Sequence, residues 1–185
     1  MLIKESANAN AIYLNINKEG KLYRKNKEGN IETYASLKGR LTGVELYTDE
    51  TYKKEKIKLF ITSDENYILQ MNVDSGYFRG FCNSLKSGNP KNEITITPFS
   101  KIGEKGVAQT TCFVNQDGKY LKHYFSKNFN GTGNDILPEL KSFEFKGETK
   151  FDNTEQLKYW KNWLQNLFTE TSEDDEELVT EKLPF

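Results

Sequence analysis

Apolar and polar side chains alternate with a period of two residues along much of the chain. The clearest run is 56–62, in which Ile57, Leu59 and Ile61 share one face and polar or aromatic residues occupy the other. Successive side chains of a β-strand point to opposite faces, so this period predicts a strand with one buried face. Further strand-like runs cover 12–16, 21–25, 31–36, 40–47, 66–73, 93–99, 107–114, 119–125 and 142–146. The pattern therefore predicts a mainly β chain.

Two segments change to a helical period. The spacing of Phe78, Phe81 and Leu85 places all three on one face of a helix, and Ser75 precedes them as a candidate N-cap. A second amphipathic run covers 154–168. We expect one helix between strands and one near the C-terminus.

The order of these elements favours a particular fold. Between residues 40 and 125, three predicted strands are followed by a helix and at least two more strands. This order is typical of the OB-fold, a five-stranded Greek-key barrel whose open face binds oligonucleotides. We predict an OB-fold-like barrel with an N-terminal hairpin and a C-terminal amphipathic helix in residues 1–168. Residues 169–185 are predicted to form a disordered tail.

Charge is distributed unevenly along the chain. The formal net charge is −1, but seven acids and one base lie between Thr169 and Lys182, which gives that segment −6 and the remainder +5. A basic body joined to an acidic tail indicates a polyanionic partner and a tail that can compete with it.

The C-terminal tail carries the most specific pattern. An acidic run is followed by the final residues Leu-Pro-Phe. This ending resembles the C-terminal tip of the single-stranded-DNA-binding protein family. Bacterial members end in an acidic run, an aliphatic residue, Pro and Phe, and phage members often end in an acidic run and a terminal Phe. The tail residues expected to contact partner proteins are Asp174, Asp175, Glu176, Glu177, Leu183, Pro184 and Phe185.

The resemblance implies a function. It implies sequence-independent binding and protection of single-stranded DNA in replication, recombination and repair, with partner proteins recruited through the tail. The ring and terminal carboxylate of Phe185 suit an apolar pocket with a basic rim. A phage-type protein is the closer comparison, because no long Gly- and Gln-rich linker precedes the tail. The expected location is the cytoplasm of a bacterial or phage-infected cell, and a homodimer is left open.

Single-strand binding needs cations for phosphates and flat rings for bases. Such residues recur together at the period of a strand, which is what an open binding face requires. The candidates for DNA contact are Tyr23, Arg24, Tyr34, Lys38, Arg40, Tyr47, Tyr52, Lys54, Lys56, Lys58, Phe60, Tyr120, Lys122 and Tyr124. Packing in the core is the competing interpretation for Phe60 and is also expected for Phe99.

The sequence does not predict a catalytic site, a metal or a cofactor. His123 is the only histidine and has no nucleophile motif, and Cys82 and Cys112 lack metal-ligand spacing and are expected to be reduced core thiols. Glu144 and Lys146 have an E-x-K spacing that some metal-dependent nucleases use, so a small nuclease is one alternative. Another alternative is an interaction protein that mimics the tail and sequesters a replication or repair factor. A membrane span is not expected, because the sequence contains no long apolar run.

Overall fold

The computed structural model describes residues 10–104 and 106–169. The chain divides into two compact units between Leu137 and Pro138. The predicted interaction residues of the tail, from Asp174 to Phe185, lie outside the described residues. The predicted domain boundary at residue 168 stays a prediction.

The first unit consists of a large sheet, one helix and a short ribbon. Its elements are β1 (Ile12–Ile16), β2 (Leu22–Lys25), β3 (Ile31–Tyr34), β4 (Leu37–Asp49), β5 (Lys54–Thr62), β6 (Asn66–Asn72), α1 (Gly76–Leu85), β7 (Glu93–Ile102), β8 (Ala108–Gln116), β9 (Lys119–Tyr120), β10 (Gly131–Thr132) and β11 (Asp135–Ile136). The sheet order is β3-β2-β1-β6-β5-β4-β7-β8-β9. The β1–β6 pair is parallel and the other neighbouring pairs are antiparallel.

The sheet curls into a half-barrel. The turn between β1 and β2 lies against β7, and a Cβ built on Gly20 would be 2.6 Å from the backbone nitrogen of Ser100. Gly20 also has a φ of 73°, in the left-handed region that favours glycine. The Tyr77 hydroxyl donates a hydrogen bond to the Asn17 carbonyl (3.3 Å) and ties α1 to the same turn. The prediction of a mainly β chain with two helices is confirmed.

The core lies on the inner face of the curled sheet and is covered by α1. Ile57, Leu59 and Ile61 are buried as their alternation predicts, and Phe78 and Phe81 of α1 have no exposed surface. The Ser75 hydroxyl accepts a hydrogen bond from the backbone N–H of Phe78 (3.2 Å), which confirms the predicted N-cap. Burial of these apolar side chains is the main stabilising contribution that the sheet and α1 share.

A glycine allows α1 to pack closely on β8. A Cβ built on Gly80 would be 2.1 Å from the Thr111 hydroxyl oxygen. Cys82 and Cys112 are buried free thiols at this contact, as predicted. Burial raises the pKa of both thiols, because a thiolate would be poorly solvated there.

Two sequence-based expectations are wrong in this unit. The strand predicted over 119–125 ends at Tyr120. The backbone N–H groups beyond it donate hydrogen bonds to Asn83 of α1 instead: that of Tyr124 to the Asn83 carbonyl (2.9 Å) and that of Phe125 to Asn83 Oδ1 (2.8 Å). Those groups are then unavailable for a β-ladder. Phe99 is 42% exposed rather than part of the core, since it lies on the outward face of β7.

The second unit contains β12 (Lys141–Phe145), β13 (Glu148–Asp152) and α2 (Thr154–Thr169). The predicted C-terminal helix is confirmed, and it buries Trp160 and Leu164. β12 pairs with β13, a strand that the sequence did not predict, through a turn in which Lys146 has a φ of 53°. Glu144 is on the strand and Lys146 is in the turn, so the E-x-K pair does not share a strand. No helix among the residues described is both long and apolar enough to cross a membrane.

Candidate nucleic-acid interface

Part of the predicted site lies on the outward face of β4, β5 and β6. On β5, Lys56, Lys58 and Phe60 alternate with the buried residues of the same strand. Their neighbours are set by register, since Lys56 lies opposite Tyr47 on β4 and Lys58 lies opposite Gln70 on β6. We call this surface the lysine face and define it by its outward side chains: Glu45, Tyr47, Asp49, Lys56, Lys58, Phe60 and Gln70.

Both central lysines of the lysine face, which lie on β5, form ion pairs with acids on the neighbouring strand β4. The Lys58 ammonium lies 2.9 Å from the Glu45 carboxylate, and the Lys56 ammonium lies 2.5 Å from that of Asp49. The hydrogen bond from each lysine to its carboxylate raises the pKa of that lysine, so both stay protonated at neutral pH. The sequence pattern identified the cations but not the acids that pair with them.

Rings lie beside these cations. The Lys58 ammonium is 4.7 Å from the centroid of the Tyr47 ring, within the range of a cation–π contact. The Tyr47 hydroxyl accepts a hydrogen bond from the Gln70 amide (3.1 Å), which fixes the ring across β4 and β6. Tyr13 of β1, opposite Ile68 of β6, adds a ring that is 47% exposed.

Tyr13 and Gln70 belong to this surface but are not among the candidates that the sequence predicted. The alternation in 12–16 places Tyr13 opposite to Ile12 and Leu14, and this signal was sufficient to find it. Gln70 carries no such signal, because only the pairing of β5 with β6 brings its amide to Tyr47.

Tyr23 joins the lysine face at its edge. A hollow in the surface is lined by Tyr23 of β2, Lys56 of β5 and Gln70 of β6, together with Tyr77 of α1. Phe60 borders a second hollow that includes Gly43. Phe60 is only partly buried, so the structure places it on the predicted binding face rather than in the core.

Tyr52 and Lys54 lie where β4 turns into β5. Tyr52 is 72% exposed, and the ammonium of Lys56 lies 6.0 Å from the centroid of its ring. Lys54 is exposed and opposite Asp49 in the register. These two residues extend the lysine face toward the turn.

Lys38 and Arg40 lie on the outward face of the first half of β4. A register shift between Leu41 and Gly43 separates them from the second half of that strand. Lys38 pairs with Glu93 of β7 (2.9 Å), and Arg40 is opposite the same residue in the register. They are therefore exposed cations outside the lysine face.

Arg24 and Tyr34 belong to a separate cluster on the other face of β2 and β3. The Tyr34 hydroxyl and the Arg24 Nε both donate to Glu32 Oε2, each at 2.6 Å. The hydrogen bonds from Tyr34 and Arg24, with one from Asn26, lower the pKa of Glu32 to about 2. The structure does not bring this pair together with Lys56 and Lys58.

This cluster predicts a specific pH dependence of stability. The folded-state pKa of Glu32 lies below its ordinary value of 4.5. The ionised carboxylate therefore contributes fully to the stability of the fold above pH 4.5, and this contribution is lost as the pH falls toward about 2. We expect Glu32→Gln to reduce stability at neutral pH, and the difference from wild type should shrink over that window. Urea unfolding at a series of pH values measures it.

The matched control is Glu28→Gln, which removes the same charge from the adjacent turn without breaking the bonds to Tyr34 and Arg24. The free energy of unfolding of Glu28→Gln should follow that of wild type at each pH. A difference between Glu32→Gln and wild type that stays constant from pH 5 to pH 2.5 would contradict the assignment.

The three candidates near β9 do not share a face. Tyr120 is 67% exposed at the end of β9, whereas Lys122 lies on an exposed irregular segment. The Tyr124 ring packs edge-on against Phe125 and Phe129, with centroid distances of 5.0 and 5.6 Å. Tyr124 is also partly buried, so of these three residues Tyr120 alone offers a largely exposed ring for stacking with a base.

Comparisons of the chain with known protein families, curated proteins and solved structures found no match. The function of the lysine face must therefore be inferred from its own residues and geometry.

Proposed function

We propose that the protein binds single-stranded DNA without sequence preference on the lysine face and recruits partner proteins through its acidic tail. The observation that carries the proposal is the register that sets Tyr47 beside Lys56 and Lys58 on neighbouring strands. Lysines at this spacing contact phosphates, and the rings of Tyr47, Tyr13 and Tyr23 offer flat surfaces to bases. Neither contact depends on base identity, so binding is independent of sequence.

Topology also supports this proposal. The β4-β5-β6 meander is followed by α1, and β7 then returns to pair with β4 and carries β8. This is the element order of an OB-fold, in which the face of the second and third strands binds oligonucleotides. Those strands correspond here to β5 and β6, which carry Lys56, Lys58 and Gln70. β1 occupies the outer edge of β6, and we propose that the N-terminal hairpin completes the half-barrel at that edge.

The acids of the lysine face are compatible with phosphate binding. In the Lys58–Glu45 pair the acid is the open partner, with side-chain exposures of 48% for Glu45 and 21% for Lys58, and an ion pair that water reaches contributes only about 0–1 kcal/mol. The Lys56–Asp49 pair is more enclosed, at 24% and 19%. A phosphate can therefore replace the carboxylate as the partner of Lys58. The pairs keep both ammonium groups on the face before DNA arrives and moderate the attraction to other polyanions.

A salt-series titration with fluorescent poly-dT and with duplex of equal length tests the proposal. We expect tighter binding to poly-dT, because rings can stack only on bases that are unpaired. The logarithm of the affinity should fall linearly with the logarithm of the salt concentration, with a slope of about −0.7 per phosphate neutralised. Equal or tighter binding of the duplex would reject the lysine face as a single-strand site. A complete absence of binding would instead favour the tail-mimicking alternative.

The tail gives a second, separable prediction. Residues 170–185 contain all seven acids of the −6 segment, so they can compete with DNA for the basic body. We expect deletion of 170–185 to tighten poly-dT binding at low salt and to abolish recruitment of partner proteins. Fluorescence titration and pull-down from a bacterial lysate measure the two effects. A variant of equal length with the acids replaced by Ser or Gln, but with Leu183-Pro184-Phe185 kept, separates charge from the tip. Unchanged affinity after deletion would reject self-masking by the tail.

A further inference from the structure

Three exposed rings form a diagonal row across the outward face of the last strands of the sheet. Phe99 of β7, Phe113 of β8 and Tyr120 of β9 are exposed by 42%, 38% and 67%. The ring centroids are 5.7 Å apart between Phe99 and Phe113 and 6.1 Å apart between Phe113 and Tyr120. We call these three residues the aromatic row. Neighbouring strands fix the spacing, since Phe113 lies opposite Thr97 and Tyr120 lies opposite Asn115.

The surroundings of the aromatic row are polar but not acidic. Thr97 of β7 and Asn115 of β8 share its face by register, whereas the hydroxyl of Thr111 is buried beside Gly80 of α1. The segments 94–102 and 108–116 contain no Asp or Glu, whereas Lys101 follows Phe99 on the same face and is exposed. The charge of this surface therefore differs from that of the lysine face, where two lysines are paired with carboxylates.

We propose that the aromatic row is a second binding surface for the same single strand, on which unpaired bases stack. This inference rests on the proposed function and extends it to residues outside the lysine face. The rings are set farther apart than the rise of about 3.4 Å per nucleotide of a stacked strand. Bases that meet neighbouring rings must therefore unstack from one another, which a single strand permits and a duplex resists.

The chemistry of the row favours nucleic acid over a protein partner. The rings pack against one another at interplanar angles of 52° and 71°, and Tyr120, at 67% exposure, offers the most open ring surface. The β-ladder and these ring contacts hold the row in place before binding, so little freedom is lost when a base stacks. Hydroxyl and amide groups between the rings can bond to sugars and phosphates. An exposed lysine without acids on the neighbouring strand segments adds attraction to a polyanion.

The test is a titration of fluorescent oligo-dT with the full chain and with Tyr120→Ala. We expect Tyr120→Ala to bind at least about fivefold more weakly, the lower end of what one stacked base contributes. The slope of affinity against salt should stay at the wild-type value, because no cation is removed. Tyr120→Phe, which keeps the ring, should bind like wild type. Phe151→Ala is the matched control, since it removes a ring that is 64% exposed in the other unit.

The outcomes separate this inference from the proposed function. If wild type binds oligo-dT and Tyr120→Ala binds equally well, the aromatic row is not a DNA surface and the lysine face still stands. If wild type does not bind oligo-dT, both proposals fail. In the remaining case, the aromatic row joins two copies of the chain. Sedimentation velocity without DNA tests this. If wild type is a dimer and Tyr120→Ala is a monomer, the row is a subunit interface and the inference is overturned.

Discussion

Replacing both central lysines of the lysine face, as Lys56→Ala with Lys58→Ala, is expected to weaken binding to poly-dT about 50-fold at 50 mM salt. Each phosphate contact to a single strand contributes about 0.7 to the slope of log affinity against log salt. Two lost contacts therefore lower the slope by about 1.4. Over the roughly 1.3 log units between 1 M and 50 mM salt, this change of slope gives a loss of affinity on the order of 50-fold. The substitution also leaves Glu45 and Asp49 without their lysines, which adds repulsion toward phosphate. Fluorescence titration at several salt concentrations measures both quantities.

Two further variants make this prediction specific. Lys27→Ala with Lys91→Ala removes the same charge from exposed positions in other turns, and should change affinity by less than the double variant on β5 does. Glu45→Gln should change affinity in the opposite direction, because it releases Lys58 from its carboxylate while keeping the shape of the side chain. A tightening of about two- to fivefold corresponds to the modest strength of an exposed ion pair. If all three variants bind like wild type, the lysine face does not contact DNA.

Removal of one of the two phenylalanine rings that α1 buries is expected to have the largest effect on stability. Phe81 of α1 has no exposed surface. Phe81→Ala should reduce the free energy of unfolding by about 3–5 kcal/mol, because it removes apolar contact and leaves a cavity. Urea unfolding followed by circular dichroism measures the change as a lower midpoint at an unchanged slope.

The control for that measurement is an exposed ring of the same kind. Phe151→Ala in β13 should shift the free energy of unfolding by no more than about 0.5 kcal/mol, since its side chain is 64% exposed. A loss below about 1 kcal/mol for Phe81→Ala would show that the site collapses around the missing ring, contrary to a closely packed contact between α1 and β8.

The candidate site was only partly predictable from the sequence. The alternation on β5 predicted that Lys56 and Lys58 share an outward face, and the structure agrees. The same reasoning grouped Tyr120, Lys122 and Tyr124, and there it failed, because Asn83 binds the backbone of the following segment and ends β9. Local periodicity reports the preference of a segment, but a competing hydrogen-bond partner from another element decides whether a strand continues.

The sequence by itself determined which segments are strands and helices over most of the described chain. It also determined which faces of β5 and α1 are buried. The two-residue period of Ile57 and Leu59 allows only one face of the strand to point into the core, and the helical period of Phe78 and Phe81 does the same for α1. Only the tertiary structure decided which strands are neighbours, that Glu45 and Asp49 pair with the lysines, and that Phe99 is exposed. Those contacts join residues distant in sequence, and they depend on how the sheet curls, which no local pattern of side chains specifies.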